Sequence, residues 1–173
     1  IQKCLNHTPD LMIGKMSQEG GKSNIKIGIN NGGSKMKGLY ILKDGDCVPY
    51  TFKDRVVLVG VPGAFTPTCT DSHLPGFADN LEDLKSLNID KVAFFSVNDA
   101  MVMDAWNIAH GHEEIDAVSD PLAVFSKSIG EDVDFGETFG IRCNRCAYLV
   151  EDGEIIKKFK DPFIQGVIEE LND

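Results

Sequence analysis

The sequence predicts an α/β protein in which a central mixed β-sheet is flanked by helices. Two short apolar runs rich in β-branched or aromatic residues, 56–61 and 91–97, each lead into a stretch whose apolar side chains recur three and four residues apart. The chain then closes on a hairpin and a helix. Strands that alternate with helices before such an ending define a layered mixed-sheet protein. A length of 173 residues suits one domain with a core of its own.

Residues 1–39 form an N-terminal extension, expected to contribute extra hairpin strands and an irregular insertion rich in Gly, Asn and Lys. Residues 12–16 and the alternation Ile25, Ile27, Ile29 are its candidate strands, set among the turn signals Gly20-Gly21 and Asn30-Asn31-Gly32-Gly33. The domain proper is expected over 40–173. Residues 40–42 and 48–52 flank Asp44-Gly45-Asp46 as a hairpin. The run 56–61 is a strand buried on both faces. Leu74, Phe77, Leu81 and Leu84 form the inner stripe of an amphipathic helix. A second interior strand at 91–97 precedes a helix that Asn98 or Asp99 caps, running to about Ala109. Residues 111–120 are expected as an acidic loop, with Asp120 capping a short helix that has Pro121 in its first turn. A strand at 145–150, the turn Glu151-Asp152-Gly153 and a partner strand at 154–159 follow. Asp161-Pro162 starts a last helix with Phe163, Val167 and Leu171 on one side.

Composition narrows the function classes. A net charge of −10 argues against nucleic acid or an anionic membrane surface as partner. No apolar run is long enough to cross a bilayer. Acidic groups concentrate in residues 113–139 and lysines in residues 1–39, a solvated face on the plainest reading and a docking surface for a basic redox partner on the other. Five cysteines at irregular spacings give no disulfide framework, which points to a reducing intracellular compartment, cytoplasmic or organellar. The first residue is Ile1, so a targeting segment upstream is one expectation.

One cysteine stands out by position. Cys69 lies where a Pro- and Gly-rich turn enters a helix, near unpaired backbone N–H groups and the positive end of the helix dipole. Such surroundings favour a thiolate, the nucleophilic form of the side chain. Position alone leaves open a small buried hydrophobe. Pro62, Thr66 and Cys69 fit P-x-x-x-T-x-x-C, within the string VPGAFTPTCTDSHLPGF.

That string resembles the active-site segment of the peroxiredoxins, most closely their atypical peroxiredoxin 5 branch, and the similarity runs over roughly residues 40–173. The resemblance implies a thioredoxin-like fold and a thiol peroxidase acting on hydrogen peroxide and small organic hydroperoxides. It also implies a homodimer, with neither metal nor cofactor. Cys69 would be the peroxidatic nucleophile, Thr66 a hydroxyl beside it, and Pro62 a shield against water. Arg145, in the strand RCAYLVEDGEI, would be the cation that holds thiolate and peroxide together. Arg142 is its competitor, set at a different offset from the strand. Pocket residues would be Pro67, Thr68 (where the family often has glycine), His73 and Phe139. His73, one helical turn after Cys69, reads first as a structural histidine and second as a pocket residue, and Phe139 reads also as a core ring. Mammalian-type members resolve the oxidised sulfur with a second cysteine near the C-terminus; the C-terminal segment here departs from that in holding none, and the simpler reading is a one-cysteine cycle. Its sulfenic acid would pass to an external thiol, glutathione with glutaredoxin or thioredoxin. Cys143 and Cys146 form a C-x-x-C whose readings are structural, resolving or regulatory; zinc would need two further ligands at suitable spacing. A non-catalytic redox sensor or thiol chaperone on the same fold is the alternative function.

Overall fold

A computed structural model describes residues 36–173. The candidate strands and insertion of the first 35 residues, and Cys4, lie outside the described residues. A seven-stranded mixed sheet forms the centre, in the order β2-β1-β5-β4-β3-β8-β9. Its strands are β1 (Tyr40–Lys43), β2 (Asp46–Pro49), β3 (Arg55–Gly60), β4 (Lys91–Ser96), β5 (Ile115–Ser119), β8 (Cys146–Glu151) and β9 (Glu154–Lys158). Strands β3, β4 and β5 run parallel to one another, while β8 and β1 pair antiparallel on either side of them. A separate two-stranded hairpin joins β6 (Asp132–Asp134) and β7 (Ile141–Cys143).

Side chains alternate along β3, and this builds two cores. Val57 and Val59 meet α1 (Leu74–Asp79), α2 (Leu81–Ser86), α3 (Ala100–His110) and α5 (Ile164–Asn172) through Leu74, Phe77, Leu84, Trp106 and Val167. Val56 and Leu58 face the other way, toward Leu39, Phe52, Tyr148 and Phe125 of α4 (Val124–Ser128). All four β3 residues are at most 1% exposed, as a near-continuous apolar strand requires when both faces are covered. Each such side chain contributes roughly 1.5–3 kcal/mol by leaving water.

The turn chemistry read from sequence holds. Asp44 and Gly45 have φ of 51° and 85°, and Asp152 and Gly153 have 47° and 81°. Two consecutive positive values make the two-residue turn that matches strand twist. Asp99 caps α3, its Oδ1 accepting from Met101 N and Val102 N.

Three expectations need correction. The stripe Leu74, Phe77, Leu81, Leu84 is buried as expected, but it spans two helices broken at Asn80, whose amide donates to Gly76 O. The expected acidic loop over 111–120 contains strand β5, inserted between β1 and β4. Asp120 accepts from Phe125 N, Ser126 N and Ser126 Oγ in the first turn of α4, but the helix begins at Val124 with Ala123 at its cap position, so Asp120 and Pro121 both precede it.

Candidate active site

The site is built where β3 ends. Val61 N still donates to Phe95 O, and the chain then turns away from the sheet. Thr66 Oγ1 donates to Gly63 O at 2.6 Å, closing the turn from within. Ala64 N donates to Asn98 Oδ1 at 2.9 Å, tying the turn to the end of β4. Phe65 sits at φ 61° and is 52% exposed. A phenylalanine in the left-handed region costs about 1 kcal/mol or more, a strain that clusters at functional sites.

Helical bonding starts with Thr70 N donating to Thr66 O. Pro67 therefore occupies the first helical position, where its missing N–H is no loss, and Cys69 lies in the first turn. From Cys69 to His73 the helix widens to a π-turn, with Leu74 N donating to Cys69 O. Such turns are frequent at functional sites. Trp106 of α3 donates from Nε1 to Thr70 Oγ1 at 3.0 Å and pins this turn against the core. Pro67 and Thr68 are exposed at the turn, while Cys69 is only 1% exposed.

Topology then delivers the cation. β8 pairs with β3 so that Gly60 faces Cys146, which places Arg145, just ahead of the strand, beside the residues that follow Gly60. Arg145 Nη2 donates to Cys69 Sγ at 3.2 Å, across 76 residues of sequence. Its other terminal nitrogen, Nη1, lies 2.6 Å from His73 Nδ1. A guanidinium only donates, so Nδ1 is the acceptor, and the imidazole proton sits on Nε2, which donates to Pro162 O at 2.7 Å. Phe163 completes the support, its ring 4.5 Å from that of His73 and 5.4 Å from the Arg145 guanidinium.

Burial pushes the His73 pKa from its usual 6.5 down to about 4. The Arg145 charge works in the same direction, while the Pro162 hydrogen bond and Asp161 oppose it. The pH dependence follows. With the folded pKa below the unfolded one, the unfolded chain takes up the proton first as pH falls. The contribution to stability is complete above about pH 6.5 and is lost toward pH 4, amounting to roughly 3 kcal/mol. Denaturant unfolding at pH 7.5 and 4.5 should show this loss. His73→Gln should flatten it, and an unaltered pH dependence in that variant would place the acid sensitivity elsewhere.

Arg142 does not share this position. Its Nη1 donates to Pro62 O at 3.2 Å, its Nε to Phe139 O at 2.9 Å, and its guanidinium lies 5.6 Å from the Phe139 ring. It ties the Pro62 turn to the β6–β7 hairpin. Gly63 makes room for it, since a Cβ there would fall 2.8 Å from Arg142 Nη1. Phe139 is more than half exposed, at the rim rather than in the core. Cys143 and Cys146 are buried on the sheet face away from Cys69. Among the described residues no group of three or more His, Cys, Asp or Glu side chains could hold a metal ion, and no helix is long and apolar enough to cross a membrane.

Sequence reasoning missed Phe163, read only as a helix residue, and the tie from Asn98 to the turn. A polar residue just past a buried strand was the available signal for Asn98. Nothing local marks Phe163.

Comparison with known proteins gives these residues a context. The family described as Redoxin matches residues 45–173. Peroxiredoxin-2C of Oryza sativa subsp. japonica is 41% identical over 100 residues, covering 57% of this chain and 62% of that protein. Peroxiredoxin AHP1 of Chaetomium thermophilum is 43% identical over 106 residues, covering 60% and 58% respectively. The chain thus spans less than two thirds of the length of these relatives. Among solved structures, reduced Prx3 of Vibrio vulnificus in complex with H2O2 superposes with a TM-score of 0.72 at 33% identity, covering 77% of this chain and 92% of that one.

Proposed function

The chain belongs to the redoxin family, with peroxiredoxins as its relatives, and we propose that it is a thiol-dependent peroxidase for hydrogen peroxide and small organic hydroperoxides. The observation that carries this reading is the Arg145 Nη2 to Cys69 Sγ contact of 3.2 Å. A permanent cation donating to sulfur favours the thiolate, and a thiolate is what attacks a peroxide oxygen.

The Cys69 sulfur displaces at one peroxide oxygen. The S–O bond forms, the O–O bond breaks, and the alkoxide or hydroxide that departs takes a proton from solvent. Cys69 is left as a sulfenic acid. Thr66 has committed its hydroxyl hydrogen to Gly63 O, so its oxygen is left to accept, and it would receive the peroxide O–H. Arg145 donors would carry the charge that builds on the leaving oxygen. Pro62, with no N–H, adds no donor that would draw water toward the sulfur. His73 and Phe163 position the arginine, while Pro67, Thr68 and Phe139 border the approach.

An external thiol would then attack the sulfenic sulfur and release water, and a second thiol would reduce the mixed disulfide. Cys69, Cys143 and Cys146 carry their sulfurs as thiols, which supports a reducing compartment. The exposed rings of Phe65 and Phe139 at this rim support a homodimer packed through these loops; sedimentation should give twice the chain mass of 18.9 kDa, and a monomer at assay concentration would contradict it.

The decisive experiment is peroxide consumption measured in parallel with glutathione plus glutaredoxin and with thioredoxin. Sustained consumption with either supports the peroxidase. Rapid sulfenic acid formation with slow turnover by every thiol would instead favour a redox sensor or thiol chaperone.

A further inference from the structure

The β7–β8 loop brings together two thiols that the Cys69 site does not use. Cys143 ends β7 and Cys146 opens β8; both are at most 1% exposed, and their sulfurs lie 4.0 Å apart. Cys146 packs with Phe95 and Tyr148 in one core, whereas Cys69 packs with Phe94 and Ala147 in the other. The sheet thus separates the pair from Cys69, and neither thiol is placed to attack a sulfenic acid there.

The pair packs directly over Gly60. Gly60 lies opposite Cys146 in the β3–β8 ladder. A Cβ on Gly60 would fall 2.6 Å from Cys146 Sγ, 2.8 Å from Cys143 Sγ and 2.9 Å from Phe95 Cζ. No side chain fits there without driving the sulfurs apart. A disulfide needs about 2.05 Å between sulfurs, so closure requires roughly 2 Å of approach by two side chains already in contact.

We propose that Cys143 and Cys146 form a second redox centre, a dithiol that closes reversibly to a disulfide at the expense of a hydroperoxide. The closed ring holds Arg145, the residue that donates to Cys69. The Cys143 sulfur attacks a peroxide oxygen: the S–O bond forms, the O–O bond breaks, and the departing oxygen takes the Cys143 proton and leaves as an alcohol or water. The Cys146 sulfur then attacks the Cys143 sulfenic acid. The S–S bond forms, and the hydroxyl leaves with the Cys146 proton as water. Two thiols and one hydroperoxide give one disulfide, one alcohol (or water) and one further water. The order of roles follows from Cys146, whose contact with Cys143 and whose burial push its pKa up and keep it protonated. Cys69 has the Arg145 donor at its sulfur, whereas the Cys143 sulfur contacts Asn144 O and Cys146, so the pair is slower than Cys69 and responds only when peroxide persists.

The test uses the full chain and Cys69→Ser, each treated with excess hydrogen peroxide, alkylated under denaturing conditions and mapped by mass. The expected result in both is a peptide carrying a Cys143–Cys146 bridge, lighter by two hydrogens and restored by dithiothreitol. In Cys146→Ala, Cys143 should instead end as a sulfenic or sulfinic acid. Full alkylation of both thiols in the treated parent, at a peroxide dose that oxidises its Cys69, would overturn the proposal without needing any variant to fold. Cys69 failing to oxidise would count against the peroxidase reading instead, so the two failures are distinguishable.

Discussion

Cys69→Ser abolishes the fast hydroperoxide turnover that Cys69 carries and leaves the fold in place. The side chain is 1% exposed and packed among Val61, Leu74 and Phe94, and a serine hydroxyl replaces the sulfur at slightly smaller volume. Arg145 can still donate to the new oxygen, so the half-buried cation keeps a partner and the melting temperature should move by only a few degrees. The chemistry does not survive. A serine hydroxyl does not ionise near neutral pH, and no general base stands beside it, since His73 Nδ1 is occupied by Arg145 and Nε2 by Pro162 O. Peroxide consumption with either thiol system should fall to no more than the slow residue that the Cys143–Cys146 pair sustains. Full activity in a folded Cys69→Ser variant would refute the assignment and move the nucleophile to another cysteine.

The parts of the fold legible in the sequence are those whose signal is local. Val56 to Val59 and Ala93 to Phe95 are apolar on both sides because the strands are buried on both faces. Asp-Gly pairs mark the two-residue turns because both positions need positive φ. Strand β5 carries no such mark. It is five residues long and set among acids, and its Asp116 is accommodated by Tyr50 Oη at 2.7 Å and Lys91 at 3.3 Å, partners far away in sequence. The β6 segment Asp132–Asp134 is exposed throughout and extended only by pairing with β7. Cys69 could be suspected from its place at a helix entry, but nothing in spacing links it to Arg145. The β3–β8 register makes that link, and a register is a property of the folded sheet. Arg142 and Arg145 are distinguishable for the same reason: three residues apart at a strand entry, they reach different sides of the turn.

That difference sets the second large effect, Arg145→Ala. The guanidinium donates to Cys69 Sγ and to His73 Nδ1 at once. Removing it takes away a donor that strengthens as charge builds on the departing oxygen, a loss worth on the order of a hundredfold for one preorganised donor. The rate of Cys69 oxidation should fall at least about tenfold, or about 1.4 kcal/mol in barrier. Arg145→Lys should recover part of this, because an ammonium supplies charge but no planar fork to serve sulfur and imidazole together. Arg142→Ala should act less, since its guanidinium serves the carbonyls of Pro62 and Phe139 instead. The chain carries its own reporter for the measurement. Its single tryptophan, Trp106, is buried and hydrogen-bonded to Thr70, next to Cys69. Its fluorescence should therefore follow oxidation in a stopped-flow experiment under excess peroxide. A rate unchanged in Arg145→Ala but lost in Arg142→Ala would reverse the two roles. A rate unchanged in both would mean that the thiolate draws its reactivity from the helix entry alone.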